Sequence, residues 1–160
     1  MIPHIPEGLF PVSMVKATTT NGSALATDFV NVGKAQMAYI VVHLTQTVGH
    51  ATVVAVERAT AAASGNVVIA NTVPIWYGNV TTSTNALTRQ TDAISYTMGG
   101  SVTGDVIIVF EIDPANLGTT YKYVGVTFTD SSQATNFAEV MCYLVPRYGA
   151  QAADAIDYLT

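Results

Sequence analysis

Asp105-Val-Ile-Ile-Val-Phe-Glu-Ile112 carries the clearest alternation in the chain. Val106, Ile108, Phe110 and Ile112 share one apolar face, and Asp105, Ile107, Val109 and Glu111 a mixed one, as in a strand with one face on a core. Tyr121 to Thr129 repeats the pattern, with Val124, Val126 and Phe128 inward and Tyr123, Thr127 and Thr129 outward. Phe137 to Val145 places Ala138, Val140, Cys142 and Leu144 on one side. Between the first two lies Asp113-Pro-Ala-Asn-Leu-Gly118, a compact turn with Asp113 as N-cap, Pro114 at the first helical position and Gly118 at its end.

Upstream, Met37-Ala-Tyr-Ile-Val-Val-His-Leu-Thr45 is apolar at both parities, which predicts a strand covered on both faces. Val48-Gly-His50 turns the chain into a second strand, Ala51 to Ala59, and the two are expected to pair as an antiparallel hairpin. Val67 to Ala70, Val73 to Tyr77 and Ala93 to Thr97 are short strands, with Pro74 marking an edge or a strand start. Thr81 to Asp92 is a polar surface loop. Short strands at near-regular spacing, with no long helix, predict an all-β fold, a single antiparallel sandwich or barrel-like domain over 13–148. Jelly-roll-like, Ig-like and barrel connectivities all fit this spacing.

The ends read differently. Residues 1–12 hold Pro3, Pro6 and Pro11 among Ile2, Ile5, Leu9 and Phe10, an extended arm whose apolar side chains need a surface. Residues 149–160 are a tail or a second arm carrying Ile156, Tyr158 and Leu159. Arg147 stands between Tyr143 and Tyr148, where a guanidinium can stack on an aromatic and bridge carboxylates or carbonyls across a subunit boundary, or can simply be solvated.

Composition narrows the functional classes. Only 11% of residues are charged while 49% are hydrophobic, which fits either a surface partly covered by partners or a weakly charged monomer. A net charge of −5 with six scattered Lys and Arg argues against nucleic acid and against a basic membrane anchor. The single cysteine, Cys142, lies within a strand and reads as a buried thiol. The opening residues have no basic region followed by an apolar one, so a cytosolic site of synthesis is expected.

No catalytic residue and no metal ligand set is expected. His4, His43 and His50 are the only histidines. His43 reads as a core or interface residue, and neither it nor His50 has a Cys or second His at ligand spacing. Asp92, Asp105, Asp113 and Asp130 sit at turns, as calcium ligands or as turn-forming caps. Trp76, Tyr77, Tyr96, Tyr121, Tyr123, Tyr143 and Tyr148 are core and interface material, or stacking faces for a sugar. No cofactor motif is present.

Three blocks carry a family likeness: Ile108-Val-Phe-Glu-Ile-Asp-Pro-Ala-Asn-Leu-Gly118, Tyr123-Val-Gly-Val-Thr-Phe-Thr-Asp130, and Ala138-Glu-Val-Met-Cys-Tyr-Leu-Val-Pro-Arg-Tyr148. With Asp28-Phe-Val-Asn-Val32 and Val54-Ala-Val-Glu-Arg-Ala59 before them, the chain resembles head-associated structural proteins of tailed bacteriophages over residues 28–148. The closing block is the most specific. The resemblance implies a capsid decoration, or cement, protein located on the virion surface and assembled in the bacterial cytoplasm. Its implied partners are the major capsid protein and further copies of itself, with a trimer favoured. A neck or tail component and a carbohydrate-binding module are the alternatives.

Overall fold

The structure is a computed structural model that describes residues 8–81 and 86–147. The clean alternation at 105–112 becomes the strand Gly104–Ile112, whose Val106, Ile108, Phe110 and Ile112 are fully buried. In chain order the described residues form β1 (Phe10–Thr19), β2 (Leu25–Ala26), β3 (Val30–Asn31), β4 (Ala35–Gln46), β5 (Val53–Ala59) and β6 (Val67–Val68). These are followed by β7 (Ile75–Asn79), β8 (Thr88–Arg89), β9 (Ser95–Thr97), β10 (Gly104–Ile112), β11 (Tyr123–Phe128) and β12 (Phe137–Pro146).

Two antiparallel sheets pack face to face, and they do not close into a barrel. The larger runs β1-β12-β4-β10-β7-β8. The other runs β2-β11-β5-β6, with β3 beside β2 on β11 and β9 beside β6 on β5. Each of those two pairs fills one strand position. The orders then reduce to β1-β12-β4-β10 and β2/β3-β11-β5-β6/β9, which is the strand order of a jelly roll, extended at the β10 edge by the β7–β8 hairpin.

Ala38, Ile40, Val42 and Leu44 of β4 and Ala138, Val140, Cys142 and Leu144 of β12 join the β10 residues from one side. Val54 and Val56 of β5 and Val124, Val126 and Phe128 of β11 meet them from the other. Each large side chain sealed here contributes about 1.5–3 kcal/mol relative to exposure. Asp113 caps the turn Pro114–Leu117 by accepting from the Ala115 N–H at 2.8 Å, and Gly118 follows with a φ of 92°, as its sequence predicts.

Two expectations are corrected. The stretches Met37–Thr45 and Ala51–Ala59 do not form a hairpin: β4 pairs with β10 and β12 in one sheet, and β5 with β11 in the other. The intervening residues arch across the sandwich, a path with the same local pattern as a hairpin. Nor is β4 covered on both faces: its inner parity is sealed, while Met37, Tyr39, Val41, His43 and Thr45 are half-buried on the outside. At the start of the chain, Phe10, Pro11 and Val12 belong to β1, opposite Leu144, Tyr143 and Cys142.

Candidate interaction face

The period of two that seals the core sends the other parity of β4, β10 and β12 to the outside of the larger sheet. Register aligns those residues in rows. Ser13, Met141, Val41, Val109, Trp76 and Arg89 stand opposite one another in turn, one from each of the six strands. Pro11, Tyr143, Tyr39 and Glu111 form the row on one side, and Glu139, His43, Ile107 and Gly78 the row on the other. Met37 and Val145 pair beyond the tyrosines. The outward face of an antiparallel sheet ordinarily alternates to polar residues. Here its centre is apolar.

Polar groups frame that centre. Trp76 donates its indole N–H to Glu111 Oε1 at 2.8 Å, and the Arg89 guanidinium lies 5.7 Å from the Trp76 ring centroid while pairing with Asp92. At the other end His43 Nε2 is 3.6 Å from Asp105 Oδ1, and Thr45 Oγ1 donates to that oxygen at 2.7 Å. A shallow depression of about 120 Å³ lies among Ala17, His43, Thr45, Phe137, Ala138 and Glu139, with Phe137 42% exposed at its rim. A half-buried apolar centre with a charged rim is suited to holding another macromolecular surface.

The expected partner-binding residues are distributed as follows. Ile2, Ile5, Tyr148, Ile156, Tyr158 and Leu159 lie outside the described residues. Leu9 is half-buried just ahead of β1. Phe10 opens β1 and packs partly against the core, so its apolar surface is used within the domain. Arg147 is exposed, and its Nε donates to the carbonyl of Ala35 at 3.0 Å while its backbone N–H donates to Lys34 O at 3.1 Å. The carbonyl it reaches therefore belongs to its own chain.

The remaining candidates take local roles. Asp113 caps its turn, Asp92 pairs with Arg89, and Asp130 accepts from the N–H groups of Gly22 and Ser132 at 3.0 and 2.7 Å. Of the two readings of His43, core or interface, its outward position removes the first, and His50 Nδ1 is 3.4 Å from Thr52 Oγ1. Among the described residues no three His, Cys, Asp or Glu side chains stand close enough together to share a metal ion. Burial pushes the Cys142 pKa up to about 12, so the thiol stays protonated near neutral pH. Tyr77 and Tyr96 stack on each other, and Tyr121 lies under Arg58.

Of the outward residues, the sequence places Val109 on a mixed face and Trp76 among interface or stacking aromatics, but it does not single out Tyr39, Val41 and Met141 as a surface. The signal that marks them is the double-parity apolar run at Met37–Leu44, read there as a strand covered on both faces. No family model matches the chain, and no curated protein does.

Proposed function

We propose that this chain is a structural protein of a tailed-phage virion, a capsid decoration protein that binds the outer shell through many equivalent contacts. One observation carries the reading: a β sandwich presents a six-strand row with Met141, Val41, Val109 and Trp76 at its centre on an outward face. The resemblance of residues 28–148 to head-associated phage proteins supplies the partner, the major capsid protein. In this reading the mechanism is mechanical. Each copy contributes a modest apolar interface, and the symmetry of the shell repeats it. Contacts between neighbouring copies, a trimer first among them, turn modest single affinities into avidity.

The experiment is the copy number of this protein in purified particles relative to the major capsid protein, by quantitative mass spectrometry. A simple ratio near unity supports shell decoration. A low ratio moves the protein to the neck or tail, and absence from particles removes the virion reading.

A further inference from the structure

Lys34, Arg58, Lys122 and Arg147 are far apart in the sequence, yet the fold gathers them at one end of the sandwich. There β5, β10 and β12 finish and β4 and β11 begin. Backbone hydrogen bonds connect the positions in turn. Arg147 N–H donates to Lys34 O at 3.1 Å, Val32 N–H to Lys122 O at 2.8 Å, and Lys122 N–H to the carbonyl of Ala59, next to Arg58, at 3.2 Å. A Cβ on Gly33 would stand 3.7 Å from Lys122 Cδ, so the Lys122 stem lies against the turn that carries Lys34. Lys34, Lys122 and Arg147 are exposed.

Among the described residues none of these cations has a carboxylate at ion-pair distance; the pairs formed are Arg89 with Asp92 and His43 with Asp105. Glu57, beside Arg58, accepts from Asn66 Nδ2 at 2.7 Å, and Asp113, in the turn that Arg58 holds, caps Ala115. Arg58 is the unusual member. It is half-buried on the Tyr121 ring, with Nη1 on the carbonyl of Leu117 at 2.6 Å. Its Nε is buried without a partner, and Nη2 is left for an acceptor from outside the domain. A half-buried guanidinium held by one neutral carbonyl is poorly compensated, and a carboxylate is the group that its planar fork fits.

The net charge of −5 repels a polyanion as dense as nucleic acid, whereas a short acidic peptide segment calls on only a few cations. From β5 across β11 to β4 and β12 the path covers two strand spacings and one sheet-to-sheet step, about 20 Å, which roughly six extended residues span. We propose that this end of the sandwich binds an acidic segment of a partner protein, with one carboxylate on Arg58 and others on Lys122, Lys34 and Arg147. The inference rests on the gathered cations and not on the virion reading, and its test needs no particle.

The experiment titrates the full chain into a fluorescently labelled oligoglutamate peptide at low ionic strength and follows anisotropy, with a labelled oligothymidylate in parallel. The expected result is saturable binding of the peptide that weakens with added salt. Lys34→Gln and Lys122→Gln should each weaken it roughly twofold to fivefold. Lys16→Gln makes the same charge change at an exposed position of β1 nearer the other end, and should leave binding unchanged. Arg58→Lys keeps the charge but loses the fork, and should weaken binding at least as much. If Arg58→Lys does not fold, the exposed lysine variants carry the comparison. Equal losses in Lys16→Gln and Lys122→Gln would overturn the proposal, and so would tighter binding of the oligonucleotide. Absence of peptide binding, which the chain's own Asp154 and Asp157 would also cause by filling this end, overturns it as well.

Discussion

The side-chain amide of Asn136 pairs with both backbone groups of Val48, accepting from its N–H at 3.2 Å and donating to its carbonyl at 2.8 Å. Asn136 is buried, and its own backbone carbonyl accepts from Thr20 N at 3.0 Å. One residue at the mouth of β12 therefore fixes the arch between β4 and β5 and the segment after β1. Asn136→Ala leaves two backbone groups of Val48 without their partner. The expected loss is about 1–3 kcal/mol of stability, read as a lower urea midpoint at unchanged slope.

Arg58 performs a similar task at another loop. Its Nη1 donates to Leu117 O at 2.6 Å, and its guanidinium lies 4.1 Å from the centroid of the Tyr121 ring. It thereby holds the capped turn at 113–118 against β5. Arg58→Met keeps the aliphatic stem but removes both contacts, and thermal unfolding should show a loss of about 1–2 kcal/mol. Arg58→Lys should recover only part of it, since an ammonium cannot match the planar stacking.

Tyr77 and Tyr96 stack across the sandwich with centroids 5.1 Å apart. Burial raises both phenols above 10.0, and for Tyr96 the charge of Tyr77 adds to the effect. Cys142 is raised by burial from 9.0 to about 12. The unfolded chain releases these protons at lower pH than the folded one, so it binds fewer of them in the alkaline range, and stability falls as pH rises. The fall should begin near pH 9.0 with the thiol, steepen above 10.0 as the tyrosines join, and continue towards 12. Melting temperature against pH for Cys142→Ala and for Tyr77→Phe with Tyr96→Phe checks the assignment. Each variant should flatten its own part of the slope, and an unchanged slope in both would refute it.

Much of the fold is legible in the alternation of β10, β11 and β12, because each strand has one sealed face and the period of two survives. β1 is hidden for two physical reasons. Pro11 is tolerated since β1 is an edge strand, and register shifts between Ser13 and Val15 and between Val15 and Thr18 erase the alternation. The arch after β4 is invisible because a sheet switch and a hairpin use the same turn residues. The outward face is half legible. Its apolar residues stand out at Met37–Leu44, but a strand covered by its own chain and one awaiting a partner have the same composition.

Val41 sits at the centre of that face between Met141 and Val109. Val41→Lys places a charge there, and its stem can lie along the sheet and carry the ammonium to water. The expected cost in stability is about 1 kcal/mol or less. Under the proposed function, co-sedimentation with expanded capsid shells should be lost while the melting curve barely moves. Retained binding by a folded Val41→Lys protein would remove this face from the interface.

Phe10 opens β1 opposite Leu144, and β12 closes at Pro146 on the neighbouring strand. The β domain is thus entered and left at one corner of one sheet. Anything genetically fused ahead of β1 emerges beside anything fused after β12, so two cargoes would crowd a single site. A short peptide joining those positions would instead close the backbone into a ring without disturbing either sheet. The domain could then be reopened at a connection elsewhere, and displayed fusions moved to the opposite end of the sandwich.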